Sequence, residues 1–471
     1  MWRLFYNVVL LVVSPLIVAV LLAKPRCRPG LLQRLGIRKG LSGLSGLSGA
    51  PGRTRPDRPD RPDRPVIWIH AVSLGEVVAV TPLVNELHRR HPALSPGGLD
   101  GDRDWAGSRG AAVGRRGRSL LCAARFPLGR LPVYRTAATL LYLFVETELW
   151  PNLLWHLRRR GVPTVLVNGR LSSKSFARQQ WAPVRSFYRT MLQTLTLCLM
   201  QSDRDVDRIV ALGAEASRVR RTGNIKFDQP RPDVAEGETT RAQLGLQDTE
   251  QLFVAGSTHP GEEEILVECY RALAARYPSA VLLLAPRHIE RAESVEAMIR
   301  ARGLAVQRRS TIGQAGVSRS TGPRVVVLDS RGELAAIYRE AVVAFVGGTL
   351  VPIGGHNLLE PAQWAKPVLF GHYTDHCAEI ADLLIEAGGG RRVLQADDLT
   401  QQVVALFSDG EERERMGRSA RQVVEQNQGA LQRTLEAIDR LLRPQQGASG
   451  SPLTNRPRPL MAEKSGTYSG R

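Results

Sequence analysis

Cysteine and lysine residues are scarce in this chain, and its sequence has no recognisable metal-binding motif. Its 471 residues include only five cysteines, an odd number with no C-x-x-C pair, which argues against a disulfide scaffold or a zinc module. The nine histidines are scattered, no H-E-x-x-H motif or Walker P-loop is present, and no G-x-G-x-x-G motif follows the first strand-like segment. The sequence therefore predicts no metal and no bound cofactor, and a reducing compartment is the default.

The positive charge is large but unevenly distributed. Lys and Arg number 64 against 45 Asp and Glu, a formal net charge of +19, and only six of the basic residues are lysine. Most of the excess lies in residues 24–65, 97–136 and 446–471. This distribution favours contact with anionic membrane lipids. A nucleic-acid partner is not predicted, because the sequence has no stripe of basic residues interleaved with aromatic ones. Because 43% of the residues are hydrophobic, wholesale disorder is excluded.

The amino terminus is strongly apolar. Residues Leu4–Ala23 carry no charge over 20 positions, about the length of a membrane-spanning helix. Lys24 and further basic residues follow, without a small-residue cleavage site, and Pro15 would be awkward in a soluble core helix. We therefore predict a membrane anchor over residues 1–23 in the cell inner membrane, with the rest of the chain on the cytoplasmic side. A hydrophobic hairpin or a helix lying in the interface would have the same pattern.

Low-complexity repeats separate this segment from the rest of the chain. LSGLSGLSG (41–49) is typical of a flexible linker, and RPDRPDRPDRP (55–65) is typical of an extended one. We interpret residues 24–65 as a basic linker and residues 446–471 as a disordered tail.

From Val66 onward, short apolar runs alternate with amphipathic stretches. This is the pattern of βαβ units, and continuous apolar strands are typical of parallel sheets covered on both faces. The sequence predicts an α/β protein with two tandem Rossmann-like domains, over 66–228 and 241–445. Because ligands of such folds lie at the carboxyl ends of the strands, chemistry is expected directly after them. The strand candidates are 66–72, 139–146, 162–170, 196–202, 251–258, 280–288, 324–330, 341–349 and 366–371.

The candidate ligand-binding residues of the second half follow such strands. The stretch Gly347–Pro361 has two glycine pairs, which free the backbone to approach a ligand, and the helix after them would offer amide donors to a phosphate. Asn357 and Glu360 can face one ligand from that helix; helix capping is the alternative, and the glycine context favours binding. Arg287 has the guanidinium group that binds phosphate, although a surface role is common for such a residue. Arg331–Glu333 could bind the same ligand or form a simple turn.

The first half offers three charged candidates. Glu76 lies in the SLGE turn at a helix start, where it is either a general base or a first-turn acid favoured by the helix dipole. Glu146 ends a predicted strand. Lys226 lies near the junction of the two halves, and simple solvent exposure is the alternative for it.

These motifs together resemble one enzyme family. WIHAVSLGE, FVETELWPN, NGRLSSKS, GNIKFD, GSTHPGEEE, LAPRH and FVGGTLVPIGGHNLLEPA occur in this order behind the apolar amino terminus. The series is similar to the 3-deoxy-D-manno-octulosonic acid (Kdo) transferases of lipopolysaccharide synthesis, from Trp68 to about Gln428. The resemblance implies a glycosyltransferase B fold and an inverting, metal-independent transfer of Kdo from CMP-Kdo to a lipid A precursor (lipid IVA).

The resemblance also implies residue roles and partners. By motif match, Glu76 would be the proton acceptor, and Glu146 and Lys226 would stabilise the transition state. The expected partners are CMP-Kdo, the lipid A precursor and anionic inner-membrane lipids. The residues implied to hold CMP are Pro286, Arg287, Arg331, Gly332, Glu333, Asn357, Leu358, Leu359 and Glu360.

The family pattern is interrupted between His91 and about Ala138. Residues 97–136 contain eight glycines and eight arginines where the family has a strand, a Thr-rich turn and a helix. A Rossmann half that lacks one βα unit would have a gap in its sheet, and we interpret the segment as a locally shifted reading frame. The alternative functions are a homologue made inactive by this segment and another fold-B glycosyltransferase that uses a different nucleotide sugar.

Overall fold

The computed structural model describes residues 1–23, 66–92, 94–97, 139–231, 240–313 and 322–446. The predicted linker 24–65, nearly all of the segment 97–136 and the predicted tail after residue 446 lie outside the described residues. Two all-parallel sheets with intervening helices make up most of the described chain. The predicted α/β class is therefore confirmed.

The first sheet has six strands in the order β2-β1-β3-β4-β5-β6. Every residue of the strand Thr164–Gly169 is buried, and successive residues of a strand face different apolar clusters. Leu141 and Leu143, for example, pack on one side of the sheet, and Tyr142 and Phe144 pack on the other. The strands are β1 (Val66–His70), β2 (Ser95–Gly97), β3 (Thr139–Val145), β4 (Thr164–Gly169), β5 (Leu197–Met200) and β6 (Val219–Arg221).

The second sheet has seven strands in the order β13-β12-β11-β7-β8-β10-β9. All seven residues of Ala280–Pro286 are buried, and helices cover both faces, as the continuous apolar runs predict. The strands are β7 (Gln251–Thr258), β8 (Ala280–Pro286), β9 (Ala305–Arg308), β10 (Arg324–Val327), β11 (Ala341–Val346), β12 (Val368–Phe370) and β13 (Gly390–Arg392).

Fifteen α-helices are found in the described ranges. They are α1 (Trp2–Ala23), α2 (Leu74–Arg90), α3 (Pro151–Arg159), α4 (Ser173–Gln179), α5 (Ala182–Leu192), α6 (Asp203–Ala211), α7 (Thr240–Gln243), α8 (Glu262–Arg276), α9 (Ala292–Ala301), α10 (Leu334–Ile337), α11 (Leu359–Gln363), α12 (Ala378–Glu386), α13 (Ala396–Ser408), α14 (Gly410–Asn427) and α15 (Ala430–Gln446). A 3₁₀ turn, Ile225–Asp228, ends the first half.

The strands that the sequence pattern fails to predict are the four sheet edges. β2, β6, β9 and β13 have only three or four residues, and the side chains of β6 and β9 are mostly exposed or half-buried. Such strands have no apolar run to signal them. The prediction of a gap in the first sheet is also wrong for the described strands. Among them β1 pairs with β2 on one side and with β3 on the other. The segment 97–136 therefore follows an edge strand.

The amino-terminal helix α1 packs against the first half through its first turns. The ring of Tyr6 stacks on Phe187 with centroids 5.6 Å apart, and the indole nitrogen of Trp2 donates to the Ser186 hydroxyl at 3.0 Å. In the part of the chain that the structure describes, no helix is long and apolar enough to cross a membrane. The predicted membrane anchor is therefore not confirmed.

The carboxyl-terminal helix α15 returns from the second half to the first. The Asp228 carboxylate accepts hydrogen bonds from the backbone amides of Gly429 at 2.6 Å and Leu431 at 2.7 Å. Further along, Asp439 binds the guanidinium of Arg90 at 2.9 Å. These contacts link the end of the first half to the segment that returns from the second. The apolar face of α15 packs into the core of the first sheet through Ala430, Leu435, Ile438 and Leu442.

A buried ion pair lies at the amino-terminal ends of two strands of the second sheet, β7 and β10. Arg324 and Glu250 are 1% and 7% exposed, and the guanidinium binds both carboxylate oxygens. We expect Arg324→Met to lower the free energy of unfolding by about 3–5 kcal/mol, because Glu250 would remain buried without its cation.

The matched control is Arg418→Met, which removes an exposed pair with Glu414 and should cost less than about 1 kcal/mol. Urea unfolding of both variants measures the difference. Equal losses would contradict the assignment of Arg324 as a structural residue.

Candidate active site

Glu76 lies in the first turn of α2, the helix that follows β1. The Ser73 hydroxyl accepts the Glu76 amide at 3.2 Å and donates to carboxylate Oε1 at 2.8 Å, while the Val72 amide donates to Oε2 at 2.9 Å. Ser73 is therefore the N-cap of α2, and the Glu76 carboxylate binds back to the Ser73 hydroxyl and to the amide of the preceding residue. Glu76 is 8% exposed, and it lies in the first turn of α2, as the prediction of a first-turn acid has it; the three hydrogen bonds also fix the direction of its carboxylate.

The surroundings of Glu76 make its carboxylate more basic. Burial is the main cause of a raised pKa, the Val72 amide and the Ser73 hydroxyl oppose it, and the negative charges of Glu146 and Glu148 raise it further. A raised pKa suits a carboxylate that accepts a proton near neutral pH. The structure thus brings three acidic side chains to one end of the first sheet.

Glu146 and Lys226 form an ion pair at the same end of the sheet. Lys226 Nζ lies 3.1 Å from Glu146 Oε1, and the two side chains are about one quarter exposed, at 24% and 26%. Glu146 has a φ of 56°, a backbone conformation that is uncommon outside glycine and recurs at functional sites. Because the residues are 80 positions apart in the sequence, spacing alone could not pair them.

Three residues without a predicted role hold the turn that carries Lys226. The Asn168 side-chain oxygen accepts the Ile225 amide at 3.0 Å, and Gln201 donates to the Asn168 carbonyl at 3.0 Å. Asn224 donates in turn to the Gln201 side-chain oxygen at 3.1 Å. All three are buried. The signal for them in the sequence is position alone, because Asn168 lies at the end of β4, Gln201 directly follows β5, and Asn224 is part of the GNIKFD motif.

Three of the predicted ligand residues of the second half come together. The Arg287 amide donates to the Thr258 carbonyl at 3.0 Å, which fixes the turn after β8. Asn357 donates to Glu360 Oε1 at 3.1 Å. Burial raises the pKa of the Glu360 carboxyl, and the Asn357 hydrogen bond and the Arg287 charge lower it. The Arg287 charge thus acts on Glu360, which places the two side chains on the same side of the second half.

The glycine loop after β11 differs from its prediction. The amides of Gly348, Thr349 and Leu350 donate to the carboxylate of Glu262, at 2.7, 3.0 and 2.9 Å. They are therefore not available to a phosphate. The helix after the loop, α11, has only five residues, and its first amide donates to Asn357 Oδ1 at 3.2 Å.

The remaining predicted ligand residues are placed in two ways. Arg331 pairs with Glu290 at 3.0 Å on an exposed surface, and Glu333 is bound by the Ser330 hydroxyl and by Arg309. Gly332 has a φ of 89°, as the alternative prediction of a simple turn requires. Pro286 ends β8 and is buried. The side chains of Leu358 and Leu359 are also buried, so these two residues have only backbone groups to offer a ligand.

A pair of histidines lies beside Arg287. The Nε2 atoms of His259 and His356 are 2.7 Å apart, and the rings stack with centroids at 5.0 Å. Burial lowers the pKa of His356 to about 3, and the charges of Arg287 and the neighbouring histidines lower it further. Burial likewise lowers the pKa of His259. Both rings are therefore neutral at neutral pH. The N–H group of one ring donates a hydrogen bond to the unprotonated nitrogen of the other.

The two halves touch at the ends of their sheets. Arg170, from the turn after β4, donates to the backbone carbonyls of Asp375 and His376 before α12. Asn224 lies 3.5 Å from Glu379 Oε2. Burial raises the pKa of Glu379, and the charges of Arg170 and Lys226 act against it. Neither Arg170 nor Glu379 is predicted from the sequence, because each faces the other half of the chain.

No group of three or more His, Cys, Asp and Glu side chains in the described ranges could hold a metal ion. The polar side chains described at the sheet ends are carboxylates, a pair of neutral imidazoles, one lysine and the two arginines Arg170 and Arg287. They are suited to proton transfer and to binding an anionic ligand.

The two-sheet fold has known counterparts. The structure of UDP-GlcNAc 2-epimerase from Neisseria meningitidis bound to UDP-GlcNAc superimposes with a TM-score of 0.52 at 13% identity, over 80% of this chain and 99% of that one. At this identity the similarity concerns the fold alone, which is a two-sheet glycosyltransferase B-like fold.

Sequence comparison identifies the family. The family model of 3-deoxy-D-manno-octulosonic-acid transferase matches residues 47–96 and 131–229, and it skips the segment in between. A 3-deoxy-D-manno-octulosonic acid transferase of Haemophilus influenzae is 34% identical over 93% of this chain and 98% of its own length. One of Bordetella pertussis is 34% identical over 79% of this chain and 86% of its own. The chain belongs to the Kdo transferase family, and the resemblance seen in its motifs is confirmed.

The neutral histidine pair predicts an acid-sensitive fold. His356 has a pKa of about 3 in the structure against an ordinary 6.5, so below pH 6.5 the unfolded chain binds a proton that the folded chain does not. Stability should therefore fall as the pH drops. We expect His356→Gln to remove about 2 kcal/mol of the loss between pH 6.5 and about 4.5.

Urea unfolding across that pH range measures this effect. The control is His88→Gln, at an exposed position of α2, which should leave the pH profile unchanged. A His356→Gln profile identical to that of the wild type would contradict the neutral state of the pair.

Proposed function

We propose that the protein transfers Kdo from CMP-Kdo to a lipid A precursor in lipopolysaccharide synthesis, with inversion and with Glu76 as the general base. Membership of the Kdo transferase family supports the reaction. The observation that carries the residue assignment is the position of Glu76. Its carboxylate is buried, raised in pKa and held at a strand end beside Glu146 and Lys226.

The reaction requires one proton transfer and one displacement. A hydroxyl of the acceptor loses its proton to the Glu76 carboxylate as its oxygen attacks the anomeric carbon of Kdo. The bond from that carbon to the phosphate oxygen of CMP breaks, and its electron pair leaves with CMP. General base assistance of this kind contributes roughly 10²–10⁴-fold to the rate.

Glu146 and Lys226 act on the developing charge in this proposal. The ion pair at 3.1 Å keeps the Lys226 ammonium at the end of the first sheet, where a fixed positive charge stabilises negative charge that grows in the transition state. Glu146 orients the ammonium, and its own carboxylate can stabilise positive charge on the sugar ring. Both side chains are partly exposed, which leaves them open to a ligand.

CMP is held by the second half in this proposal. Arg287 binds the phosphate through its guanidinium, and the partly buried Glu360 accepts hydrogen bonds from the ribose hydroxyls. Asn357 orients Glu360 at 3.1 Å. Pro286, Leu358, Leu359 and the turn Arg331–Glu333 contribute backbone contacts. The proposal assigns the charge of the departing CMP to Arg287 and neighbouring amides, so no metal ion or cofactor is invoked.

The proposed site of action is the cytoplasmic face of the cell inner membrane. The aromatic face of α1 packs on the first half, and the opposite face leaves apolar side chains uncovered; these are Leu4, Phe5, Val8, Val9, Leu11, Val12 and Val13. We propose that this face enters the lipid and that the basic residues of 24–65 contact anionic headgroups. The acceptor, itself a lipid, would then lie within reach of the first half.

An inactive homologue is the second candidate. The family model skips the residues between 96 and 131, which belong to the half proposed to bind the acceptor. A wild-type protein that binds CMP but forms no product would support this candidate. Binding of UDP in place of CMP would instead support a fold-B glycosyltransferase with another donor.

The general base assignment predicts a loss of activity. We expect Glu76→Gln to lower the rate of Kdo transfer at least about 10²-fold, because the amide keeps the size of the side chain but cannot accept the proton. The assay supplies CMP-Kdo and a lipid A precursor to the full-length protein and detects the product by mass spectrometry.

The control is Glu86→Gln, which changes another glutamate of α2 that pairs with Arg89 and Arg90. It should retain wild-type activity. Equal product from Glu76→Gln and wild type would remove Glu76 from its role, and thermal melting separates this effect from a loss of helix capping.

A further inference from the structure

Glu262 is a fully buried carboxylate with an unusual set of partners. It is the first residue of α8 and 0% exposed. Oε2 accepts the amides of Gly348 at 2.7 Å and His259 at 3.0 Å, and Oε1 accepts those of Thr349 at 3.0 Å and Leu350 at 2.9 Å. No Lys, Arg or His side chain forms an ion pair with it in the described ranges. Its charge is therefore balanced by backbone dipoles alone.

The geometry selects the ionised form of Glu262. Burial raises the pKa of its carboxyl above the ordinary value, and the four amides act against that rise. All four partners are N–H donors, so a protonated oxygen would direct its own hydrogen at a donor and lose that bond. The position at the amino terminus of α8 favours the negative charge further.

This carboxylate occupies a concavity of amides that would otherwise suit a phosphate. Consecutive N–H groups in a glycine-containing loop form an anion-binding nest, and here the anion is part of the chain. The fit is close, because a Cβ atom on Gly347 would lie 2.9 Å from Glu262 Oε2 and 2.5 Å from the Ser257 carbonyl. The loop after β11 is therefore shaped by Glu262.

The same carboxylate holds both loops that carry the histidine pair. One loop includes His259, whose amide binds Glu262 directly, and the other includes Gly348, against which the His356 ring packs. The Gly355 amide donates to the Gly348 carbonyl at 2.7 Å. Because of this hydrogen bond, the position of the loop at Gly348 also fixes His356 and the residues after it. Asn357 and Glu360 follow within five residues of Gly355.

We propose that Glu262 is a positioning residue for the nucleotide of the donor. By filling the amide nest it fixes the loop Gly347–Leu350, and through that loop it sets His356, Asn357 and Glu360 at the distances from Arg287 that CMP requires. It does not touch the nucleotide. This inference rests on the proposed donor site, but the effect of Glu262 on the loop is measurable without any ligand.

The test compares two neighbouring glutamates in the full-length protein. Glu263 is as buried as Glu262, at 1% exposed, but it pairs with Arg291 at 2.7 and 2.8 Å and with the Thr258 hydroxyl at 3.1 Å. Glu262→Gln leaves an amide group facing two N–H donors, whereas Glu263→Gln leaves the nest intact. Both variants should lower the melting temperature.

Three readouts separate positioning from stability. We expect Glu262→Gln to speed hydrogen exchange in peptides that cover residues 347–350, to weaken CMP binding by calorimetry roughly tenfold or more, and to raise the KM for CMP-Kdo with the acceptor KM unchanged. Glu263→Gln should change none of the three. Glu262→Asp keeps the charge but is one methylene shorter, so it should weaken CMP binding less and serves if the Gln variant does not fold.

Two results overturn the inference in distinguishable ways. In the first, wild type and Glu262→Gln bind CMP equally well and hydrogen exchange at 347–350 is unchanged. This result overturns the role of Glu262 but not the donor site. Wild type that does not bind CMP overturns the donor site, and the positioning role with it. The expected pattern in all three readouts supports both.

Discussion

Both sheets are covered on their two faces, and this constraint decides where the protein can carry chemistry. Every residue of β4 in the first sheet and of β8 in the second is buried, so no polar ligand can reach the faces of these strands. Polar side chains leave the core only at strand ends. Glu146 and Arg287 directly follow strands, and Glu76 and Glu360 lie in the first turns of helices that follow strands. The return of α15 to the first half holds the two sheets together.

The interior of the fold could be read from the sequence to a large extent. Continuous apolar runs identify the central strands of both sheets, and the SLGE turn after β1 marks the start of α2. The family resemblance, now confirmed, depended on short motifs at those same strand ends. Placing Glu76 in the first turn of α2 needed only local spacing, since the SLGE turn precedes the helical repeat and Ser73 and Glu76 are three residues apart.

Contacts between distant segments could not be read in the same way. The four edge strands lack an apolar run, the Glu146 to Lys226 ion pair joins residues 80 positions apart, and Glu262 meets its nest across 86 to 88 positions. The sequence predicts a glycine loop open to phosphate, and the structure fills that loop with a carboxylate. A backbone that is free to approach a ligand is equally free to approach the protein itself.

A crystal structure with CMP tests the account most directly. We predict the ribose hydroxyls on Glu360 and the phosphate on Arg287, with the nest of residues 348–350 still occupied by Glu262. The result that would contradict the account is CMP bound elsewhere, for instance in the cavity of about 500 Å³ at the crossing of the halves, which is lined by residues that include Asp228, Arg231 and Arg421.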